Sequence, residues 1–198
     1  MNSIKLKKTG NNKIHSTGFL KRCKITIYGS NNSILIGDKS ILDHATIYIK
    51  GNDNCIELSD KVGIKQGELY IEDHCNRIQI GSGTQLCGTA HLACTEGTSI
   101  TIGKDCLFSS DITLRTGDSH SILNLDGKRI NPAKSINVCD RVWIGNSVII
   151  LKNTTILEDS IIGSGSVVTK EFHESNVVIG GNPANILKRD VCWIHKRI

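Results

Sequence analysis

The stretch VCDRVWIGNSVIILKNTTILEDSIIGSGSVVTK, Val138 to Lys170, decides how the rest of the chain is read. Val138, Ile144, Ile150, Ile156, Ile162 and Val168 fall at a strict spacing of six. On an α-helix, steps of six scatter around the axis and make no stripe. On a three-sided coil, the same step places one inward residue on each side in turn. Four positions after each of the first five stand Val142, Val148, Thr154, Ser160 and Ser166, small or branched, as a narrow interior requires. A run of sandwich strands would have no need of so regular a period.

A second rhythm lies upstream. Apolar pairs recur at Ile25/Ile27, Ile34/Ile36, Ile47/Ile49, Ile56/Leu58, Leu69/Ile71 and Ile78/Ile80, and continue to Ile100/Ile102. Successive pairs up to Ile78 start 9 and 13 residues apart in alternation, a 22-residue period. Leu42, Ile64, Leu86 and Phe108 form a third column at that period. Asn32, Asn54 and Asn76 repeat just before strand pairs, in turns, where asparagine tolerates left-handed backbone. Each unit thus holds three short strands with one side facing inward, and stacked units make a triangular β-solenoid. The expected organisation is one all-β domain over residues 1–198. It has 22-residue coils over 1–114, an excursion at 115–135, hexapeptide coils over 136–172 and a C-terminal segment over 173–198.

Composition agrees with this. A length of 198 residues suits one domain or one elongated repeat body. Isoleucine occurs 30 times while aromatic residues make up 4% of the chain, which fits strands around an evenly filled core. Two prolines leave no Pro-rich linker. The opening MNSIKLKKTG lacks the apolar core of a signal peptide, and no apolar run reaches the length of a membrane span. A cytoplasmic protein is therefore expected. The eight cysteines form no CxxC pair and are expected to be reduced core or turn residues. His91 and Cys94, in HLAC, have no second pair of matching spacing, so no metal is expected. A net charge of +5 without a dense Lys/Arg block suits an anionic ligand rather than nucleic acid.

The rhythm breaks at RTGDSHSILNLDGKRINPAKS, Arg115 to Ser135. Of seven histidines, His120 alone lies in a polar interruption, flanked by Gly117, Asp118, Ser119 and Ser121. A neutral imidazole, with an ordinary pKa of about 6.5, is suited to take a proton near neutral pH. Asp118 either orients that ring or caps a turn. Arg115, Arg129 and Lys134 bracket the segment as cations for an acidic acceptor. Trp143 precedes the inward Ile144, so it should point outward, where something must cover it.

The stretch from Val142 to Lys170, followed by GGNPANILK at Gly180–Lys188, resembles the hexapeptide-repeat acyltransferases. The likeness is closest to the branch that O-acetylates capsule or lipopolysaccharide sugars, polysialic acid among them. It is strong over Arg115–Arg189 and looser over residues 1–114, where extra residues at the corners would explain the longer unit. The resemblance implies a left-handed parallel β-helix, acetyl-CoA as co-substrate, a carbohydrate acceptor and a homotrimer with its sites between neighbouring coils. It makes His120 the general base, set 23 residues before a tryptophan that lines the acceptor pocket, and the two are expected to be adjacent in space. It carries the acyl-donor contacts onto Asn146, Ser164, Thr169, Lys170 and Lys188. Transfer to an amine of a nucleotide-linked sugar is the rival within this chemistry. A zinc hydratase of the same fold would need two histidines close in sequence, which this chain lacks. A non-catalytic solenoid would ignore the loss of His120.

Overall fold

The computed structural model describes residues 1–7, 10–196 and 198, and among them there are strands and turns but no α-helix. The strands form three sheets, one per side of a triangular prism, with eight strands on the first face, seven on the second and nine on the third. Neighbours within a sheet are parallel, apart from the final pair, Val178–Gly181 against Ala184–Lys188.

The register shows that the two rhythms are one. On the first face Ile25, Ile47, Leu69, Leu92, Leu114, Ile150 and Val168 stand one above another. On the second, Ile36, Leu58, Ile80, Ile102, Val138 and Ile156 do the same. On the third, Leu20, Leu42, Ile64, Leu86, Phe108, Ile144, Ile162 and Ile179 make the column. Apart from the half-buried Leu20, every one of these is buried. The two neighbouring inward positions of each face fill the remaining width, and Val142, Val148, Thr154, Ser160 and Ser166 are buried as their spacing requires.

The longer unit is lengthened at one corner. Between the inward Ile47 and Ile56 the chain takes eight residues to pass from the first face to the second, against three between their stacked counterparts Ile150 and Thr154. The return from third face to first is one residue shorter, five steps from Ile64 to Leu69 against six from Ile144 to Ile150. The wide first-to-second corner carries a buried amide ladder: Nδ2 of Asn32 donates to Oδ1 of Asn12 at 3.0 Å, Asn54 to Asn32 at 3.1 Å and Asn76 to Asn54 at 3.1 Å. These asparagines were expected to take left-handed backbone. That conformation belongs instead to the preceding residues, Asn31, Asp53 and Cys75, with φ of 57°, 60° and 60°. An amide side chain turned into the stack must meet its neighbours to satisfy its buried hydrogen-bonding groups, so the turn falls one residue earlier.

At the strand Ile112–Arg115 this same corner opens into the long excursion before Ile136–Val138. At the far end, the antiparallel pair closes the stack and the tail folds back, with Trp193 Nε1 donating to the Arg141 carbonyl at 2.7 Å. The eight cysteines are unpaired; Cys23, Cys94 and Cys106 are buried, and burial pushes the Cys106 thiol up to about 11. On Ala90–Cys94, Cys94 faces the core while His91 points outward to Glu68 at 3.0 Å. Alternation along a strand puts the two on opposite sides, so they share no ligand.

Candidate active site

The excursion is held at its base by a polar network. Thr116 continues the buried corner, its Oγ1 accepting from the backbone N–H of Thr95 at 3.0 Å. Ser119 takes left-handed backbone at φ 60°, and the His120 N–H turns back to the Asp118 carbonyl at 2.6 Å. That tight bend leaves the His120 ring exposed, with no hydrogen-bond partner among the described residues.

Asp118 does not touch the imidazole. Its Oδ2 receives Lys152 Nζ in a short ion pair and Asn131 Nδ2 at 2.9 Å. The Lys152 ammonium, first, and the Asn131 amide hold the Asp118 carboxyl below the usual aspartate range. Asn131 is the hub: Nδ2 also donates to the His120 carbonyl at 2.8 Å, while Oδ1 accepts the Ile122 N–H at 2.7 Å. Between Ile122 and Ile130 the chain makes a short hairpin, bridged at Leu123 and Arg129. Arg129 does not face solvent freely; Nη2 donates to Glu96 at 2.6 Å, and Glu96 also accepts the Ala133 N–H at 3.2 Å. Arg115 Nη2 donates to Ser119 Oγ at 2.8 Å, and Lys134 is exposed. Of the three bracketing cations, Arg129 is thus committed to holding the loop, while Arg115 and Lys134 stand at its edge.

Trp143 lies on the third face, pointing outward as expected and a third exposed. Its cover comes from the tail: the Trp193 ring packs at 6.2 Å and 45°, and His195 meets Trp193 edge-on at 4.8 Å. Trp143 Nε1 donates to Ser109 Oγ at 3.5 Å. His120 leaves from the corner between first and second faces, which lies across the prism from the third face. The expected adjacency of His120 and Trp143 therefore does not occur within one chain. Residues 121–135 of that 23-residue step belong to the excursion, so the chain crosses only the second face before it reaches Trp143 on the third.

The donor residues gather on the C-terminal coils. The Asn146 N–H donates to Ser164 Oγ at 3.1 Å, stacking the two on the third-to-first corner, and Asn146 Oδ1 accepts the Ser110 N–H at 3.1 Å. Lys170 Nζ donates to Asn185 Oδ1 at 2.7 Å and lies 5.6 Å over the Phe172 ring. Thr169 and Lys188 are exposed. Asn146 and Ser164 form one group and Lys170 with Asn185 another. Among the described residues no group of three or more His, Cys, Asp or Glu side chains has the arrangement of a metal site.

Residues 135–170 match the bacterial transferase hexapeptide family, six repeats. A polysialic acid O-acetyltransferase of Neisseria meningitidis is 33% identical over 184 residues, spanning 92% of this chain and 85% of that protein. The chain belongs to the hexapeptide-repeat acetyltransferases. A polysialic acid O-acetyltransferase of Escherichia coli O1:K1 / APEC is 35% identical over 118 residues, 59% of this chain, and the match spans 38% of that longer protein. The crystal structure of the polysialic acid O-acetyltransferase OatWY superposes with a TM-score of 0.91 at 33% identity, covering 100% of this chain and 93% of that one. The solenoid is the left-handed parallel β-helix of these enzymes.

Several members of the loop network escaped the sequence. Lys152 follows the strand Ile149–Leu151 at the same first-to-second corner, one coil beyond Asp118, and only the stacking brings them together. Glu96 occupies that corner one coil before, at the 22-residue step from His74. That step was a usable signal. Asn131, before Pro132, resembles an ordinary turn residue, and Trp193 sits in a tail with no repeat to place it.

Proposed function

We propose that this chain is an acetyl-CoA-dependent O-acetyltransferase whose acceptor is a sugar hydroxyl of a surface polysaccharide or its precursor. The observation that carries the proposal is the exposed imidazole of His120 on a loop anchored through Asp118, Asn131, Lys152 and Glu96, on a scaffold of this family. A base on an anchored loop can meet a hydroxyl without first being ordered. His120 takes the hydroxyl proton as the oxygen attacks the thioester carbonyl carbon. The tetrahedral oxyanion collapses, the C–S bond breaks, and the leaving thiolate recovers the proton from the imidazolium. The products are an acetyl ester and free coenzyme A. Asp118 serves as a positioning residue.

The donor is assigned to the C-terminal coils. Asn146 and Ser164 would receive the pantetheine arm, with Thr169 beside it, and Lys170 and Lys188 would meet the nucleotide phosphates. An acidic acceptor, polysialic acid as in the relatives, would find Arg115 and Lys134 beside His120.

Trp143 belongs to the same site only if a second copy supplies it, and a homotrimer does this. Two features support such an assembly. The hairpin exposes Ile122, Leu123, Leu125 and Ile130, and the outward column of the third face carries Phe19 and Ile41 at one end and Leu107 and Trp143 further along, with Gly63 and Gln85 between. Apolar surface of this extent is normally covered.

The test is release of free thiol from acetyl-CoA across a panel of hydroxyl and amino acceptors, with His120→Ala as control. Release driven by glycan hydroxyls and lost in the variant supports the proposal; transfer confined to amines, or unaffected by His120→Ala, overturns it.

A further inference from the structure

We infer that the first-to-second edge carries a second glycan-binding site, remote from His120, that holds another unit of the same acceptor chain. The inference rests on the proposed sugar acceptor and extends it from a single sugar to a polymer.

A cavity of about 560 Å³ lies on the N-terminal coils, lined by Tyr28, Gly29, Tyr48, Lys50, Gly51, Asn52 and His74. Its walls combine the groups that grip a saccharide. The Tyr28 and Tyr48 rings stand 5.7 Å apart and 54° from parallel, a wedge of two aromatic faces suited to the C–H face of a sugar. Tyr48 is backed by Tyr70, stacked at 5.2 Å and 7°. Tyr70 Oη donates to Glu72 at 2.9 Å and Glu72 receives Lys50 Nζ at 2.7 Å, so the back wall is braced. Burial and the Glu72 contact push the Tyr70 phenol up to about 12, so it stays a neutral donor.

The polar side is equally set. The Asn52 N–H donates to His74 Nδ1 at 3.0 Å, so a neutral His74 carries its hydrogen on Nε2. Asn52 Oδ1 accepts from the Ser30 N–H at 2.9 Å, which leaves its amide hydrogens for a ligand. A narrow solenoid has no need of an aromatic wedge on its outside. The close turn is built on glycine: Gly29 and Gly51 have φ of 123° and 148°, and a Cβ on Gly29 would lie 2.0 Å from the Gly51 carbonyl oxygen.

Position gives the site its meaning. Asn52 and His74 occupy the corner from which, further along the stack, the His120 loop departs. The strand carrying Tyr48 is followed on the first face by Gly67–Glu72, Ala90–Cys94 and then Ile112–Arg115, the strand that feeds the loop. Cavity and base share one edge, three strand spacings apart, so one extended glycan can lie against both.

The experiment compares long polysialic acid with a short sialic acid oligomer as acceptors, for the full chain and its Tyr28→Leu and His74→Ala variants. His74 is exposed, so His74→Ala tests the site even if Tyr28→Leu folds poorly. KM for the long polymer should rise by about fivefold or more, the order of one lost ring or polar contact, with kcat and the KM of the short oligomer and acetyl-CoA unchanged. Equal KM values for the unaltered chain and both variants on the long polymer overturn this inference alone. Thiol release with neither acceptor overturns the proposed acceptor and this inference with it.

Discussion

At the scale of single residues, the proposed chemistry would depend on side chains that touch no reacting atom. Asp118 would be a natural orienter for His120 by sequence distance, yet Lys152 and Asn131 engage it and the imidazole is left to solvent. Lys152→Met should therefore lower kcat through a looser loop, by roughly tenfold, while KM for acetyl-CoA stays within about twofold. The global cost should be below about 1 kcal/mol, as for other partly exposed ion pairs. Thermal melting and steady-state kinetics on the same preparation separate the two effects. The pair also sets an acid limit. The folded Asp118 carboxyl titrates below its ordinary value, so its stabilisation is complete above about pH 4 and is lost as pH falls through the lower folded value. Glu96, lowered chiefly by Arg129, acts in the same direction. Protease cleavage within 116–135 should rise as pH falls below about 4, before the core unfolds; cleavage independent of pH there would refute the anchoring role.

At the scale of elements, what the sequence disclosed followed what each position must bury. The three inward columns hold Ile, Leu or Val except at Phe108, so steps of six and 22 stood out and located the faces. The corners were less legible, because a corner residue can satisfy its polar groups in several ways. Asn54 reads as a turn former, and only the stacked coils show its amide accepting from Asn76 and donating to Asn32. Asn54→Leu removes the acceptor of the Asn76 N–H and one acceptor of Asn76 Nδ2, which keeps the Glu72 carbonyl. It should cost about 1–3 kcal/mol in urea unfolding. The loop was legible as an interruption and His120 as its titratable group. The partners of the loop were not, since Lys152 and Glu96 lie one coil to either side and 34 and 22 residues from Asp118.

At the scale of the whole molecule, His120 and Trp143 lie on opposite sides of one prism, so the proposed site would draw on two copies. His120→Ala and Trp143→Ala chains should each be nearly inactive alone. Unfolded together at equal concentration and refolded, they should recover roughly a quarter of wild-type activity through random pairing of intact halves. No recovery, with trimers present by sedimentation, would place both residues in a single-chain site. The parallel stack has one more property, which follows from its uniform rise of about 4.8 Å per strand. Three such spacings put roughly 14 Å between the tyrosine wedge and the base of the His120 loop. The prism is thus a ruler. Acceptors too short to reach both marks should share one KM, and those that span them should share a lower one. The plot of KM against chain length should then be a step, not a slope.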